Sequence, residues 1–403
     1  MRLIKGTALL RLDFNTEDDW RMRAVLPTIK FLLKNGCKIV ILSHRGRPHS
    51  AAAASRGKPF RLEAELRKLS LKKDAAALAR LLGRKVAFIR HFDFARIKRV
   101  IAKSPRGSVF LLENLRFLKG EEKNDPKLAR SLASLGDFYV NDAFAVDHRV
   151  NASLVAITKF LPSYAGLELE AEIAHLSRII ARPKRPLVMI VGGAKVSDKL
   201  GVLRYFRNKA DWFLLGGGPA NTMLAARGMD VKISLRDKDG DVAAISAIAK
   251  YPNLELPVDY RWRAEAIVDV GPKSCAAFKK KIAAAKTIVW SGPFGLIDVR
   301  PYDKGSRSVA KAIAENHRAL SVAGGGETVM FLKRICLDKK FTFISTGGGA
   351  MLDFLAGQKL PGIEALKKHR HPEPREGSRA MMKNQGDFPR RRRSSPRAAR
   401  CSK

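Results

Sequence analysis

Basic side chains recur just beyond the predicted strands in the first half of the chain. Apolar runs there end in polar residues, in segments 8–15, 38–47, 108–116 and 138–142, and the cations at or after these ends are Arg21, His44, Arg47, Arg116, His148 and Arg149. A guanidinium group binds a carboxylate or phosphate through two parallel hydrogen bonds. Any one of these arginines could be an ordinary surface residue, but their recurrence predicts a site for a small, strongly anionic ligand.

Glycines end the predicted strands of the second half instead. Five short apolar runs finish in glycine, at 187–193, 212–218, 287–292, 320–326 and 341–349. Glycine lets a phosphate approach backbone N–H groups, and a helix that begins there adds partial positive charge. One triplet is usually only a tight turn. The triplets at 216–218, 324–326 and 347–349 together predict a surface that binds a nucleotide.

Lys195 and Lys199 lie four residues apart, where a predicted strand leads into a helix-like run at 196–209. On a helix that began there, both lysines would share a face and point at the same phosphate oxygens. Two solvated lysines would be an equal alternative if the motif stood alone. The spacing is not that of a Walker A loop, and no G-x-G-x-x-G follows these strands, so P-loop and Rossmann dinucleotide-binding hypotheses lose most of their support.

Glu327 directly follows the glycine triplet at 324–326. Its carboxylate could hold Mg²⁺ on a nucleotide, or it could simply favour the positive end of a helix dipole. The sequence has no nucleophile elbow with a Ser-His-Asp order and no H-E-x-x-H motif, so covalent and zinc catalysis have little support.

Parallel sheets are the elements that would position these residues. Strands rich in β-branched and aromatic residues alternate with helix-like stretches such as 23–34 and 126–135, which is typical of a parallel α/β sheet. Ligands of such sheets bind outside the carboxyl ends of the strands, where both sets of candidate residues lie. We therefore predict an α/β fold of two lobes, each a Rossmann-like parallel sheet flanked by helices, joined by a hinge helix near 166–180.

Composition adds a large positive charge. The 403 residues include 77 Lys and Arg against 38 Asp and Glu, a net charge of +39, and 46% are hydrophobic. The apolar content excludes wholesale disorder, and the charge predicts a polyanionic partner: phosphorylated metabolites, nucleic acid or anionic lipid. Residues 367–403 hold +10 of this charge and are predicted to be a disordered basic tail, which leaves +29 in the body.

No apolar run approaches the roughly 18 residues that span a bilayer, so we predict no membrane span. The four cysteines are scattered without C-x-x-C spacing, and the first residues do not form a secretory signal. A cytoplasmic location is expected from these features.

Many short motifs, in order, resemble the phosphoglycerate kinase family over about residues 9–366. In the first half they are RLDFN at 11–15, SHRGRP at 43–48, LENLRF at 112–117, and VNDAF at 140–144 with HR at 148–149. In the second half they are GGAKVSDK at 192–199, GGG at 216–218, PVD at 257–259, GP at 292–293, STGGGA at 345–350 and LPGIEAL at 360–366. So many motifs in family order identify the chain as a member.

The resemblance implies a monomeric, two-lobed glycolytic enzyme. Residues 1–165 would form the phosphoglycerate-binding lobe and 166–353 the nucleotide-binding lobe, with the helix at about 166–181 as hinge. Residues 354–366 would return to the first lobe. The implied reaction is reversible in-line transfer of a phosphoryl group from 1,3-bisphosphoglycerate to ADP, giving 3-phosphoglycerate and ATP, with Mg²⁺ on the nucleotide and closure about the hinge. Such an enzyme is a phosphotransferase with a carboxyl group as acceptor.

The resemblance also implies roles for individual residues. The phosphoglycerate would contact Asp13, Asn15, Arg21, His44, Arg47, Arg116 and Arg149. The nucleotide would contact Gly193, Ala194, Lys195, Lys199, Gly217, Gly218, Gly292, Pro293, Asp298, Gly325, Gly326, Glu327 and Thr328, with Glu327 serving Mg²⁺ through the nucleotide. The groups expected to act on the transferring phosphoryl group are Arg21, Lys195, Lys199, and the N–H groups of Gly347 and Gly348.

Several residues depart from the family pattern. The loop between Asn15 and Arg21 is short, and the other departures are Asn151 in place of a histidine, Ser291 in place of an asparagine, Asp298 in place of a glutamate, Glu327 in place of an aspartate, and Pro219 in place of a methionine. One alternative is therefore a non-catalytic member of the family. Another is that the tail and the basic surface adhere non-specifically to nucleic acid or anionic membranes.

Overall fold

The computed structural model describes residues 5–48 and 66–368. These residues form two units: the first runs as far as Ala171 and resumes at Leu360, and the second lies between. The sequence put the corresponding divisions at residues 165 and 354.

The first unit is built on a six-stranded parallel sheet of order β3-β4-β2-β1-β5-β6. Its strands are β1 (Thr7–Arg11), β2 (Lys38–Leu42), β3 (Val86–Ile89), β4 (Val109–Leu112), β5 (Phe138–Asn141) and β6 (Ser163–Ala165). Its helices are Trp20–Ala24, Leu26–Lys34, Lys72–Leu82, Phe94–Lys103, Pro126–Ala133 and Pro361–Lys368, and residues 66–69 are also helical. The central strands are buried on both faces, as their continuous apolar runs predict.

The second unit repeats this plan with a sheet of order β14-β13-β12-β7-β8-β9 and a separate antiparallel pair, β10-β11. Its strands are β7 (Leu187–Val191), β8 (Trp212–Leu215), β9 (Leu254–Glu255), β10 (Tyr260–Arg263), β11 (Ala266–Val270), β12 (Thr287–Ser291), β13 (Leu320–Gly324) and β14 (Phe343–Ile344). Its helices are Leu200–Tyr205, Gly217–Ala226, Val242–Ala249, Pro272–Ala284, Lys304–Glu315, Gly326–Arg334 and Gly349–Leu355.

The 15-residue helix Leu167–Ala181 carries the chain from the first unit into the second. Its first turn is held by the sheet of the first unit, because the Asp142 side chain after β5 accepts a hydrogen bond from the Leu169 N–H at 2.9 Å. The sequence predicted a helix at 166–180, which is confirmed. The prediction of a helix at 196–209 is wrong: a 3₁₀ turn, Ser197–Lys199, leads into the short helix Leu200–Tyr205.

The predicted α/β fold with two helix-flanked parallel sheets is confirmed. The last helix includes the first two residues of the predicted basic tail, and 369–403 lies outside the described residues. In the part of the chain that the structure describes, no helix is long and apolar enough to cross a membrane.

Candidate active site

Asp13 is the centre of a charged cluster at the carboxyl ends of β1 and β2. Its Oδ2 accepts a hydrogen bond from Arg21 Nη1 at 2.5 Å, and its Oδ1 accepts one from the Asn15 N–H at 2.9 Å. Asn15 in turn accepts a hydrogen bond from the Gly46 N–H through Oδ1, at 2.8 Å. Burial raises the pKa of Asp13, but its interactions with His44, with the Arg21 guanidinium and with the Asn15 N–H outweigh burial, so the pKa lies below its usual value. The short loop before Arg21 thus brings its guanidinium onto the cluster.

His44 is buried beside Asp13 and is held by Arg11, whose guanidinium is also fully buried. Arg11 Nη2 lies 3.1 Å from His44 Nδ1. Since a guanidinium can only donate, Nδ1 must accept and the ring proton belongs on Nε2. Burial lowers the pKa of His44 well below its usual value, and nearby arginines act in the same direction against Asp13. The ring is therefore a neutral donor at neutral pH.

Arg116 and Arg149 extend the cluster from the loops after β4 and β5. Burial lowers the pKa of Arg116 to about 10, and the positive charge of Arg149 acts in the same direction. The pKa of Arg149 is also lowered, first by burial, with Arg47 among the charges that add to the shift. Arg47 is more exposed and meets Glu122 at 3.2 Å. Crowded cations with lowered pKa values are stabilised when an anion binds between them.

Five buried nitrogen atoms, on four residues of this cluster, have no hydrogen-bond partner among the described residues. They are Arg21 Nε, His44 Nε2, Arg116 Nε and Nη2, and Arg149 Nη1. Arg116 Nε also forms a longer ion pair with Glu122 Oε1, at 3.4 Å. Buried donors normally find a partner, and leaving one unpaired costs about 1–3 kcal/mol. The cluster therefore offers several charged or polar donors to an anionic ligand.

A buried network beneath the cluster keeps Arg11 in place. Arg11 Nε donates to Ser153 Oγ at 2.9 Å, and that hydroxyl donates to Glu121 Oε1 at 2.6 Å. Asn151 is buried and lies with its Nδ2 at 3.4 Å from the same carboxylate oxygen. Asn151, where the family has a histidine, thus supports the loop from inside. Sequence reasoning missed the roles of Arg11, Ser153 and Glu121, since no local spacing joins them.

In the second unit, a cavity of about 590 Å³ lies at the carboxyl ends of β7, β12 and β13. The predicted residues in its lining are Gly193, Ala194, Lys195, Lys199, Gly292, Gly325, Gly326, Glu327, Thr328 and Gly348. Ser291, Asp198 and Asp353 also line it, and Asp353 is a residue that the sequence did not predict. Most of the polar residues expected to meet phosphates therefore share one cavity.

Lys199 is buried, and its Nζ donates to the Lys195 carbonyl at 3.0 Å. The sequence predicted that the two lysines share a helical face, and this prediction is wrong. Lys195 precedes the 3₁₀ turn and is exposed. Burial lowers the pKa of Lys199, although Asp198 and Glu327 oppose the shift. A partly desolvated cation interacts more strongly with a phosphate than a solvated one does.

The glycines let backbone segments touch at this edge. A Cβ on Gly218 would lie 1.9 Å from the Ala194 carbonyl oxygen, whereas one on Gly326 would meet nothing within 4 Å. Thr328 Oγ1 accepts a hydrogen bond from the Gly292 N–H at 2.8 Å and so joins two strand ends. Gly347 lines neither this cavity nor the neighbouring one described next, and its N–H donates to Ser345 Oγ at 3.1 Å. The structure therefore does not bring this predicted donor to the site.

A second cavity of about 740 Å³ shares Gly193, Ala194 and Glu327 with the first. It contains the predicted residues Gly217, Gly218, Pro293 and Asp298, and its wall is largely apolar, formed by Ile233, Leu235, Val268, Phe294, Leu296, Ile297, Met330 and Phe331. Asp298 is at the rim and pairs with Arg334 Nη1 at 2.7 Å. An apolar cavity that opens into a polar, glycine-lined one matches a ligand with an apolar ring and a phosphate chain.

The described residues contain no cluster of three or more His, Cys, Asp or Glu side chains that could hold a metal ion. Glu327 is exposed in the first turn of the helix Gly326–Arg334, at the junction of the two cavities.

A family model described as phosphoglycerate kinase matches residues 3–358. The chain is similar to the phosphoglycerate kinases of Dictyoglomus turgidum, 39% identical over 90% of this chain and 96% of that protein, and of Desulforapulum autotrophicum, 41% identical over 89% and 97%. It also resembles the solved phosphoglycerate kinase structures from Coxiella burnetii and Pyrococcus horikoshii, at 32% and 30% identity, with TM-scores of 0.75 and 0.78. Each alignment covers 92% of this chain and 98% of the other.

Proposed function

The chain belongs to the phosphoglycerate kinase family, and from this membership we propose which residues hold each substrate and how they act. It is a kinase of glycolysis that moves a phosphoryl group reversibly between 1,3-bisphosphoglycerate and ADP, giving 3-phosphoglycerate and ATP. We also propose a cytoplasmic location, which the glycolytic role supports.

The phosphoglycerate is held by the cluster of the first unit. The observation that carries this assignment is the set of buried donor nitrogens on Arg21, His44, Arg116 and Arg149 that find no hydrogen-bond partner within residues 5–48 and 66–368. Their chemistry suits the phosphate and carboxylate of the substrate. Asp13 and Asn15 orient Arg21 and the loop at Gly46 through their own hydrogen bonds, and the more exposed Arg47 adds positive charge.

The nucleotide is held by the second unit. Its base occupies the apolar cavity beside Phe294 and Met330, and its phosphates reach the polar cavity. Lys195 and Lys199 attract the phosphates, the loops at Gly193 and at 325–326 let them approach the backbone, and Asp298 is available to the ribose. Thr328 fixes the position of Gly292.

Mg²⁺ fits this site if it arrives with the nucleotide. Glu327 supplies a carboxylate at the junction of the cavities, and the ion commonly takes one or two carboxylates together with phosphate oxygens. Glu327 is the proposed ligand, and the bound ion would neutralise part of the phosphate charge.

Transfer requires no strong base, because the attacking oxygen is already an anionic carboxylate or phosphate. The protein positions the reacting groups and stabilises the charge on the moving phosphoryl group. We assign that role to Arg21 from the first unit and Lys195 and Lys199 from the second, with Gly348 as a backbone donor.

A coupled assay with MgATP and 3-phosphoglycerate tests the assignment of the first unit. Arg149→Ala should raise KM for 3-phosphoglycerate about thirtyfold, the equivalent of about 2 kcal/mol, and leave KM for MgATP unchanged. Lys127→Ala removes an exposed cation of the same unit and should change neither constant. Unchanged KM for 3-phosphoglycerate in Arg149→Ala would remove the cluster from the substrate site.

A further inference from the structure

The positive charge of the first unit is concentrated in one segment. Residues 66–107 include 13 Lys and Arg against only Asp74 and Asp93, a net charge of +11. Residues 108–171 of the same unit include seven Lys and Arg against nine Asp and Glu, a net charge of −2. The excess is therefore local, and the cations that bind phosphoglycerate are outside this segment.

All 13 cations of the segment are exposed, and we call them the basic edge: Arg67, Lys68, Lys72, Lys73, Arg80, Arg84, Lys85, Arg90, Arg96, Lys98, Arg99, Lys103 and Arg106. They surround β3, which is the terminal strand of its sheet. The helix Lys72–Leu82 contributes Ala75 and Leu78 to the main core cluster. The chain moves outward from β2 to β3 and then back from β3 to β4. Since such crossovers are right-handed, the helix of the second one, Phe94–Lys103, lies on the sheet face opposite the helix Lys72–Leu82. The basic edge thus wraps around one side of the sheet.

The two acidic residues of the segment leave these cations unneutralised. Asp74 is buried and accepts hydrogen bonds from Arg45, with Nη2 at 2.6 Å from Oδ1. Asp93 caps the helix Phe94–Lys103 by accepting the Arg96 N–H at 3.0 Å. Apart from Arg67, no cation of the basic edge forms an ion pair within the described residues. Arg96, Arg99 and Lys103 follow helical spacing and form one exposed stripe.

Two features favour a nucleic acid over a membrane. The apolar face of the helix Phe94–Lys103, at Ile97 and Ile101, is buried, and Val100 is the single large hydrophobic residue of the segment that is strongly exposed. A helix that binds in a membrane surface presents an apolar face outward. In contrast, Phe92 and Phe94 are half-buried between Arg90 and Arg96, with ring centroids 6.5 Å apart. Aromatic rings among cations are the pattern on which unpaired bases stack.

We propose that the basic edge is a binding surface for single-stranded nucleic acid, with phosphates on its arginines and lysines and bases against Phe92 and Phe94. This role is independent of catalysis, since the surface contains none of the residues assigned to either substrate. Recognition would be of the backbone and of base faces, without sequence specificity.

The test measures binding of a fluorescent 20-nucleotide oligouridine to the full chain at several KCl concentrations. The variant Arg96→Gln, Lys98→Gln, Arg99→Gln, Lys103→Gln removes four charges from one helix. Its matched control, Arg263→Gln, Lys280→Gln, Lys311→Gln, Arg318→Gln, removes four exposed charges from the second unit. We expect Kd to rise at least about tenfold in the first variant and the slope of log K against log salt to fall by about 2–3, with about twofold change in the control. Both variants should retain full kinase activity, which verifies folding.

A second comparison tests the stacking. The double variant Phe92→Leu, Phe94→Leu should bind oligouridine and a single-stranded DNA of equal length about fivefold or more weakly, and its binding of duplex DNA should be unchanged. The proposal is overturned if the chain does not bind oligouridine at 50 mM KCl, or if both four-charge variants lose affinity equally. It is also overturned if the first four-charge variant loses binding to vesicles that contain phosphatidylserine but keeps its binding to oligouridine, since the surface would then serve a membrane.

Discussion

The two units offer different groups to the anionic ligands that we propose for them. The first uses buried side chains, and His44 and Arg116 are at most 8% exposed. Arg11 donates a hydrogen bond to His44, and Arg116 donates one to the Gly46 carbonyl. The second uses backbone loops around open cavities, and two of its charged groups, Lys195 and Glu327, are exposed. The preorganised charges suit the small substrate that we propose for the first unit, and the glycine loops suit the phosphates of the nucleotide that we propose for the second. A side-chain change should therefore affect the first site most, and a change of backbone shape the second.

Lys199 is the exception, because it is a buried side chain in the unit that otherwise relies on backbone. Lys199→Ala should lower kcat about a hundredfold, about 3 kcal/mol of transition-state stabilisation, since it removes a desolvated cation from the phosphate cavity. Lys250→Ala, an exposed lysine of the same unit, is the matched control and should retain full activity. A kcat within twofold of the parent in steady-state assays would show that the cavity works through backbone donors alone.

Each unit also has a buried aspartate whose pKa is raised to about 6. Burial raises the pKa of Asp142 in the first unit and of Asp269 in the second to about 6. Because the folded value exceeds the unfolded one, each group's contribution to stability is complete below about pH 4 and is lost as pH rises through 6. Each loss is up to about 3 kcal/mol. The free energy of unfolding of Asp142→Asn, relative to that of the parent, should therefore rise as pH increases from 4 to 7 and stay constant above pH 7.

Denaturant titrations at several pH values measure that difference, and hydrogen exchange locates it. The gain in Asp142→Asn should lie in the first unit and that in Asp269→Asn in the second. A stability difference that stays constant from pH 4 to pH 7 would contradict the raised pKa values.

Glycine substitutions separate loop shape from ligand space in the second unit. Gly218→Ala should raise KM for MgATP about tenfold and lower Tm, because its Cβ would collide with the Ala194 carbonyl and shift the cavity wall. Gly326→Ala has open space around its Cβ and should leave Tm unchanged while weakening nucleotide binding. Thermal melts and calorimetry check the pair; equal losses of Tm would mean that Gly326 serves the fold rather than the phosphates.

Ser153→Ala tests the support beneath the first site. It breaks the link from Glu121 to Arg11, which holds His44 with its proton on Nε2. We expect KM for 3-phosphoglycerate to rise about fivefold, about 1 kcal/mol, with kcat nearly unchanged. Ser131→Ala, at an exposed hydroxyl of the same unit, is the control. A lower Tm with unchanged KM would indicate a purely structural network.

Sequence reasoning predicted the features that repeat along the chain. Buried parallel strands are continuous apolar runs, so β7, β8, β12 and β13 were evident, and so was the linking helix Leu167–Ala181. Short or partly exposed strands such as β3, β6 and β9 lack that signal and were missed. The residues after each strand end were also evident, because open α/β sheets place ligands there.

Contacts between distant residues could not be predicted in this way. Arg11 contacts Ser153, which lies 142 positions further along the sequence. Asp353 lines the polar cavity from the helix Gly349–Leu355. The sequence predicts that Lys195 and Lys199 pair on a helix. Lys195 instead precedes a tight 3₁₀ turn, Ser197–Lys199, and its carbonyl accepts a hydrogen bond from the Lys199 ammonium. Such details depend on tertiary packing, which local propensity does not encode.

Titration calorimetry with each ligand alone tests the separation of the two sites most directly. The full chain, Arg149→Ala and Lys199→Ala are titrated with 3-phosphoglycerate and, separately, with MgADP. Arg149→Ala should lose affinity for 3-phosphoglycerate at least about tenfold and bind MgADP as the parent does, and Lys199→Ala should show the reverse, since the proposal assigns each ligand to one unit. Loss of both affinities in either well-folded variant, or loss of the opposite one, would contradict the assignment of one substrate to each unit.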